Sequence, residues 1–256
     1  MINDPRSLSP KEFFEKGHNY FLPHISIDCV IFGFHDNQLK VLLLEWKDTH
    51  RWCLPGGFVL KGEDINDAAD NTLRMRTGLQ KIMLHQFHTF GDPNRDRGTH
   101  GHNIPQHVKG PSWIMERFIT IGYWALVEFS KVTPTPDQFS ASCQWWEINS
   151  IPTLILDHNV IVKKALESLR LQLNDYPVGF NLLPPKFTMP ELQSLYETIL
   201  GETLDRRNFQ KKMIALDIIT RLDERKQGGA HKAPYLYKFD KKKYQNALKK
   251  GISFGI

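Results

Sequence analysis

Cysteine is scarce in this chain. Cys29, Cys53 and Cys143 are odd in number and show no C-x-x-C spacing, which excludes a disulfide framework and a thiolate zinc site. They are expected to be reduced core residues. Long apolar runs are lacking too: none approaches the roughly 18 to 20 residues that a membrane span requires. The N-terminus, MINDPRSLSPKEFF, also lacks the basic-then-apolar order of a signal peptide. A cytoplasmic protein that does not associate with membranes is the expectation. No internal repeat is evident, and the lysine cluster at 241–243 is the one low-complexity signal.

What is present is divided unevenly. Residues 186–256 hold 15 Lys+Arg against 8 Asp+Glu, whereas residues 1–185 hold 18 against 20. The basic character is therefore local, which points to a neutral body joined to a module that meets a polyanion. The 256 residues suffice for two modest domains. YPVGFNLLPPKF, rich in Pro and Gly, reads as a linker over 176–187, which gives domains at 1–175 and 188–256.

In the first domain, HISIDCVIFGF (24–34) and LKVLLL (39–44) flank HDNQ, the pattern of strand, turn and strand. Residues 64–77 form a predicted helix with Ala68, Ala69, Leu73 and the flanking Ile65 at helical spacing and Gly78 as its stop. Further strands are expected at 82–90, 117–129 and 143–148, and a closing helix from Asp157 or Asn159 as cap, with Ile161, Ala165, Leu166, Leu169 and Leu173 on one side. The segment 91–113 is polar and long for a connection; it carries His100, His102 and His107, but without nearby cysteine and with only scattered acids it reads as a loop. No resident metal or other cofactor is expected.

In the second domain, Thr188 and Glu191 make a capping box ahead of Leu192, Leu195, Tyr196 and Ile199, and Gly201 ends that helix. Asp205 is placed to cap a second helix, apolar through Phe209, Met213 and Leu216. Its other side carries Arg206, Arg207, Asn208, Gln210, Lys211 and Lys212. Donors at the start of a recognition helix reach base edges in the major groove: Arg pairs with guanine, Asn or Gln with adenine, and Lys mostly neutralises phosphate. Two strand-like arms around Gly228-Gly229, with Arg225, Lys226 and Lys232 near the tip, read as a basic wing. Helix pair, basic helix, hairpin and regional charge together predict a winged helix-turn-helix that binds DNA.

LPGGFVLKGEDINDAADNTLRMRTGL (54–79) resembles the Nudix box, G-x5-E-x7-R-E-U-x-E-E-x-G-U, with Gly57, Glu63, Leu73, Gly78 and Leu79 in register. In active members the box acids hold magnesium against a diphosphate. Here Asn71 and Thr72 stand at the R-E positions and Met75 and Arg76 at the E-E positions, so the helix carboxylates are missing. Glu63 alone is expected to serve as a salt-bridge or capping partner, leaving a pocket that binds without turnover.

The order of parts, with Leu54 to Val59, Leu156-Asp157-His158 and the run from Leu183-Pro184 through Lys212, is similar to the Nudix-related transcriptional regulators of bacteria. The resemblance implies an α/β Nudix-like domain, a mixed-sheet α/β/α sandwich, followed by a winged helix. It also implies a homodimer on double-stranded DNA with an inverted-repeat operator, and a small effector: a pentose, a sugar phosphate or an ADP-ribose-like metabolite. Within the box, Gly57 and Phe58 would border the effector. Lys47, Arg51, Arg76, Arg95 and Arg97 are candidates for a phosphorylated effector, and Trp46, Asp92, Asn94 and Asp96 for a sugar. The alternative is a Nudix hydrolase acting on a nucleoside diphosphate sugar such as ADP-ribose; a third is a nucleic-acid scaffold without effector.

Overall fold

Strand β1 (Phe21–His35) is buried without interruption from Ile27 to Phe34, as a strand covered on both faces must be. It turns into β2 (Gln38–Trp46) through Asp36 and Asn37 at φ 50° and 58°. This is the left-handed pair that a tight hairpin needs and that Asn and Asp tolerate best. The computed structural model describes residues 4–80, 82–95, 112–173, 179–226 and 233–250. It divides into two compact units, one of Met1–Phe32, Lys40–Leu126 and Lys131–Ala165, the other of Gly33–Leu39, Val127–Ser130 and Leu166–Ile256.

The first unit is built on a seven-stranded mixed sheet. With β3 (Trp52–Cys53), β4 (Gly56–Leu60), β5 (Leu84–Phe90), β6 (Ile119–Val127) and β7 (Ser140–Glu147), its order is β3-β2-β1-β6-β5, with β4 also on β1 and β7 also on β2. Helix α1 (Pro10–Lys16) opens on a Ser9/Glu12 capping box absent from the sequence-based expectations. Its Phe13 packs within 5.2–5.6 Å of the rings of Phe21, Phe58, Trp113 and Phe139. Helix α2 (Ile65–Thr77) is the predicted box helix, capped by Asp64 and stopped at Gly78 with φ 73°, with Ala68, Ala69 and Leu73 buried.

Helix α3 (His158–Gln172) buries Ile161, Ala165 and Leu169, as its periodicity requires, while Leu166, expected on the same side, is half-buried at its flank. Asp157 holds the cap position, its carbonyl accepting the Ile161 amide at 3.1 Å, but the side chains of both residues expected as caps bond elsewhere. Asp157 turns its carboxylate to Arg95, and Asn159 Oδ1 accepts the Leu154 amide at 2.8 Å. Cys29 and Cys53 are buried, and Cys143 is half-buried beside Cys53 with Leu44 and Ile155. Burial pushes the Cys143 thiol up to about 12 and the other two thiols up as well.

In the second unit, the stretch expected as a linker contributes α4 (Gly179–Leu182) and β8 (Phe187–Thr188), and buries Leu182, Leu183 and Phe187. Pro184 and Pro185 fall between α4 and β8. Helix α5 (Met189–Leu200) starts on the Thr188/Glu191 capping box and ends at Gly201, φ 79°. Helix α6 (Arg206–Ala215) follows, its Asn208 amide bonded to Asp205 at 2.8 Å. Tyr196 of α5 meets Phe209 of α6 edge-on at 5.4 Å, tying the helix pair. Strands β9 (Ile219–Arg225) and β10 (Tyr235–Phe239) make the hairpin of the sheet β8-β10-β9. Helix α7 (Lys241–Lys250) closes the unit by stacking Tyr244 on Phe180 at 4.7 Å.

Candidate functional site

A cavity of about 620 Å³ opens in the first unit, within the range that holds a small metabolite. Its lining comes from β1, the Gly56-Gly57 start of β4, α2, the end of β2 and the segment 135–139. Aromatic walls from Phe13, Phe58, Phe118 and Trp46 face polar groups from Asp28, Arg76, Arg95 and His158.

Gly56 sits opposite Asp28 in the β1–β4 ladder, and a Cβ there would lie 2.4 Å from Asp28 Oδ1 and 2.7 Å from the Ile27 carbonyl. Only glycine permits this approach. Gly57 is less constrained, with Thr72 Oγ1 at 3.3 Å from its would-be Cβ. Asp28 is thereby held against the cavity with its side chain 10% exposed. Burial pushes its carboxyl up, offset in part by His158 and Arg95. His158 accepts the Leu54 amide at Nδ1, 3.0 Å, so its ring proton sits on Nε2, which faces Asp28 Oδ2 at 3.8 Å.

The box helix offers little to a divalent ion. Glu63 accepts from the Arg6 guanidinium, from Asn71 Nδ2 at 2.8 Å and from the Leu60 amide at 3.1 Å, joining the salt-bridge and capping roles expected of it. Thr72 returns its hydroxyl to the Ala68 carbonyl. Arg76 is buried, 3.7 Å from Asp137 and donating to the Thr135 carbonyl at 3.4 Å; Met75 beside it also lines the cavity. Among the described residues, no group of three or more His, Cys, Asp or Glu side chains is arranged to hold a metal ion.

Of the residues singled out in the sequence for the effector, Trp46, Lys47, Gly57, Phe58, Arg76 and Arg95 line the cavity; Arg51 and Asp92 do not. Asp92 instead orders its own turn, accepting the Asn94 amide at 2.8 Å. Arg95 reaches the lining with its donors already engaged, in a fork on Asp157 at 2.7 and 3.0 Å and on the Phe90 and Phe118 carbonyls at 3.3 and 3.5 Å. That network makes it a brace for the wall, since a guanidinium has five N–H donors in all. Lys47 Nζ bonds the Gln138 carbonyl at 3.0 Å. Asp96, Arg97, His100, His102 and His107 lie outside the described residues. Asp28 was missed because it reads as one polar letter inside an apolar strand, and His158 because only its motif stood out.

On α6, Arg206, Arg207, Asn208, Lys211 and Lys212 are exposed and Gln210 is half-buried, while Phe209 and Met213 anchor the opposite face. Two of the residues expected on the wing have partners within the unit. Lys226 is paired with Glu191 at 2.5 Å, and Arg225 stacks over the Tyr235 ring at 4.0 Å and bonds the Ala233 carbonyl at 2.8 Å. Burial pushes the Glu191 carboxyl up, but the Lys226 ammonium and the Thr188 hydrogen bonds outweigh it and hold it below its ordinary value. Arg221, not singled out from the sequence, also lies over the Tyr235 ring, at 4.7 Å. Lys232 lies outside the described residues.

Comparison with known proteins joins the two units. The NUDIX domain family profile matches residues 22–169, and a profile described as the NrtR DNA-binding winged helix domain matches residues 179–239. The chain is similar to an ADPR responsive transcriptional repressor, NtrR, of Acinetobacter baylyi, at 30% identity over 229 residues, 86% of this chain and 84% of that one. An ADP-ribose pyrophosphatase of Methanocaldococcus jannaschii is 26% identical over 162 residues, 62% of this chain and 82% of its own. The solved structure of Shewanella oneidensis NrtR with a 27mer DNA shares the fold at TM-score 0.68 and 22% identity, over 89% of this chain and 97% of that one.

Proposed function

The chain belongs to the family of Nudix-related transcriptional regulators, and from that premise we propose that it is a homodimeric repressor that reads an inverted repeat and leaves it on binding an ADP-ribose-class effector. The observation that carries the reading is α6: Arg206, Arg207 and Asn208 stand exposed on the first turn of a helix whose other side is locked into the winged helix by Phe209 and Met213. Side chains at that end of a recognition helix are the ones that reach base edges. A two-fold dimer presents two such helices, which an inverted repeat matches. The name of the Acinetobacter baylyi relative supports ADP-ribose as the effector and repression as the sign of control.

The sensing domain binds the effector without hydrolysing it. Three box positions carry Thr72, Met75 and Arg76, and Glu63 is committed to Arg6, Asn71 and the Leu60 amide. The effector then acts only through unequal affinity for the DNA-competent and DNA-incompetent states.

Selection of sites from a random duplex pool near physiological salt tests this, because nonspecific phosphate attraction is suppressed there. An enriched inverted repeat, released by ADP-ribose, is expected; ADP-ribose incubated with the protein and magnesium should be recovered intact. Enrichment of no sequence, or turnover of ADP-ribose to AMP, would overturn the reading.

A further inference from the structure

Asp28 and His158 offer an acceptor and a donor 3.8 Å apart on the cavity lining, and from this we infer that they clamp one hydroxyl of a sugar ring in the effector. The hydroxyl oxygen accepts from His158 Nε2–H and donates its own O–H to the Asp28 carboxylate in a hydrogen bond. The inference rests on the effector-binding reading above and names the part of the ligand that the cavity selects.

The spacing decides the chemistry. At 3.8 Å the two groups are beyond direct hydrogen bonding, yet one oxygen can lie about 2.7–3.0 Å from both. A hydroxyl donates and accepts through a single atom, which is what this pair requires. A phosphate oxygen would meet the Asp28 charge, and an ammonium would meet Nε2–H. Because Nδ1 is committed to the Leu54 amide, Nε2 holds the proton and His158 cannot act there as a base.

The clamp is held rigid before any ligand arrives. Both side chains are buried, at 10% and 6% exposure. Gly56 leaves room for the Asp28 carboxylate, and the Arg95 fork holds Asp157 next to His158. A buried carboxylate covered by a ligand that lacks the hydroxyl would keep its desolvation penalty without a partner. Sites of this kind reject the deoxy analogue strongly.

The test is a calorimetric series with ADP-ribose and with analogues each lacking one ribose hydroxyl, on wild type, Asp28→Asn and His158→Asn. Asparagine at 158 keeps an acceptor for the Leu54 amide and removes the distal N–H. ADP-ribose affinity should fall by about 10- to 100-fold in either variant. One deoxy analogue should show the same loss on wild type and be indifferent to both substitutions. The analogue arm uses only the wild-type protein, so it stands even where a variant fails to fold. If every deoxy analogue binds wild type as tightly as ADP-ribose, the clamp is wrong. Should wild type ignore ADP-ribose but bind D-ribose or L-arabinose, the effector assignment falls, and Asp28→Asn with that pentose then decides the clamp alone. Binding of none of these sugars would overturn the inference.

Discussion

Glu63 and Asp28 are two largely buried carboxylates of one domain in opposite circumstances. Glu63 stands at the position the box pattern marks for chemistry, and it is filled by Arg6, Asn71 and the Leu60 amide. Asp28 stands in a strand with no motif around it, and it faces the ring of His158 across 3.8 Å. The contrast teaches that a motif residue can become architecture while an unmarked residue takes over recognition. The same division runs through the basic module, where Lys186, Lys226 and Lys243 are tied to Glu224, Glu191 and Asp217. Arg206 and Arg207 stand exposed on α6.

The comparison can be broken most forcefully at the glycine that positions Asp28. Gly56→Ala drives a Cβ into the Ile27 carbonyl and the Asp28 carboxylate; a stability loss of about 3 kcal/mol is expected in urea unfolding. Gly57→Ala, whose neighbour is a side-chain hydroxyl at 3.3 Å, should lose less than about 1 kcal/mol. Equal losses would show that the Asp28 approach is not the tight one.

Next in size is the division among cations. Arg207→Ala should weaken operator binding by about 1–3 kcal/mol while leaving random DNA less affected. Lys226→Ala should chiefly lower stability, because it strips a partner from the Glu191 of the α5 capping box. Gel-shift titrations on operator and random duplex separate the two, and a uniform loss for Arg207→Ala would demote that residue to phosphate contact.

The smallest effect concerns Asp28 without ligand. Its folded-state pKa is raised by burial, so the folded protein takes up a proton that the unfolded chain releases, and stability falls as pH rises through that window. Asp28→Asn removes this dependence. It should melt about 2–4 °C higher than wild type near pH 7, with the advantage fading below about pH 4, where the unfolded aspartate is protonated too. A variant that melts lower at neutral pH would argue that the charge is satisfied in the free protein.

Local chemistry was legible in the sequence wherever a rule acts over a few residues. The HDNQ turn, the Gly78 stop of α2, the Thr188/Glu191 box and the Asp205 cap all occur where such rules put them. The Ser9/Glu12 box of α1 obeys the same rule and could have been found by it. Partners distant in sequence were not legible. Arg95 reads as a loop cation until the fold brings Asp157, 62 residues away, into its fork. Arg6 reaches Glu63 across 57 residues. Asp28 lies in an apolar run, and its importance depends on which strand Gly56 lies against.

The thiols carry a practical consequence. With burial holding Cys29, Cys53 and Cys143 protonated near neutrality, and the thiolate being the reactive form, maleimide dyes should ignore the native cysteines. A cysteine placed at exposed Val160 would then take a single fluorophore, and Trp46 on the cavity lining supplies an intrinsic optical signal for effector entry in the same protein.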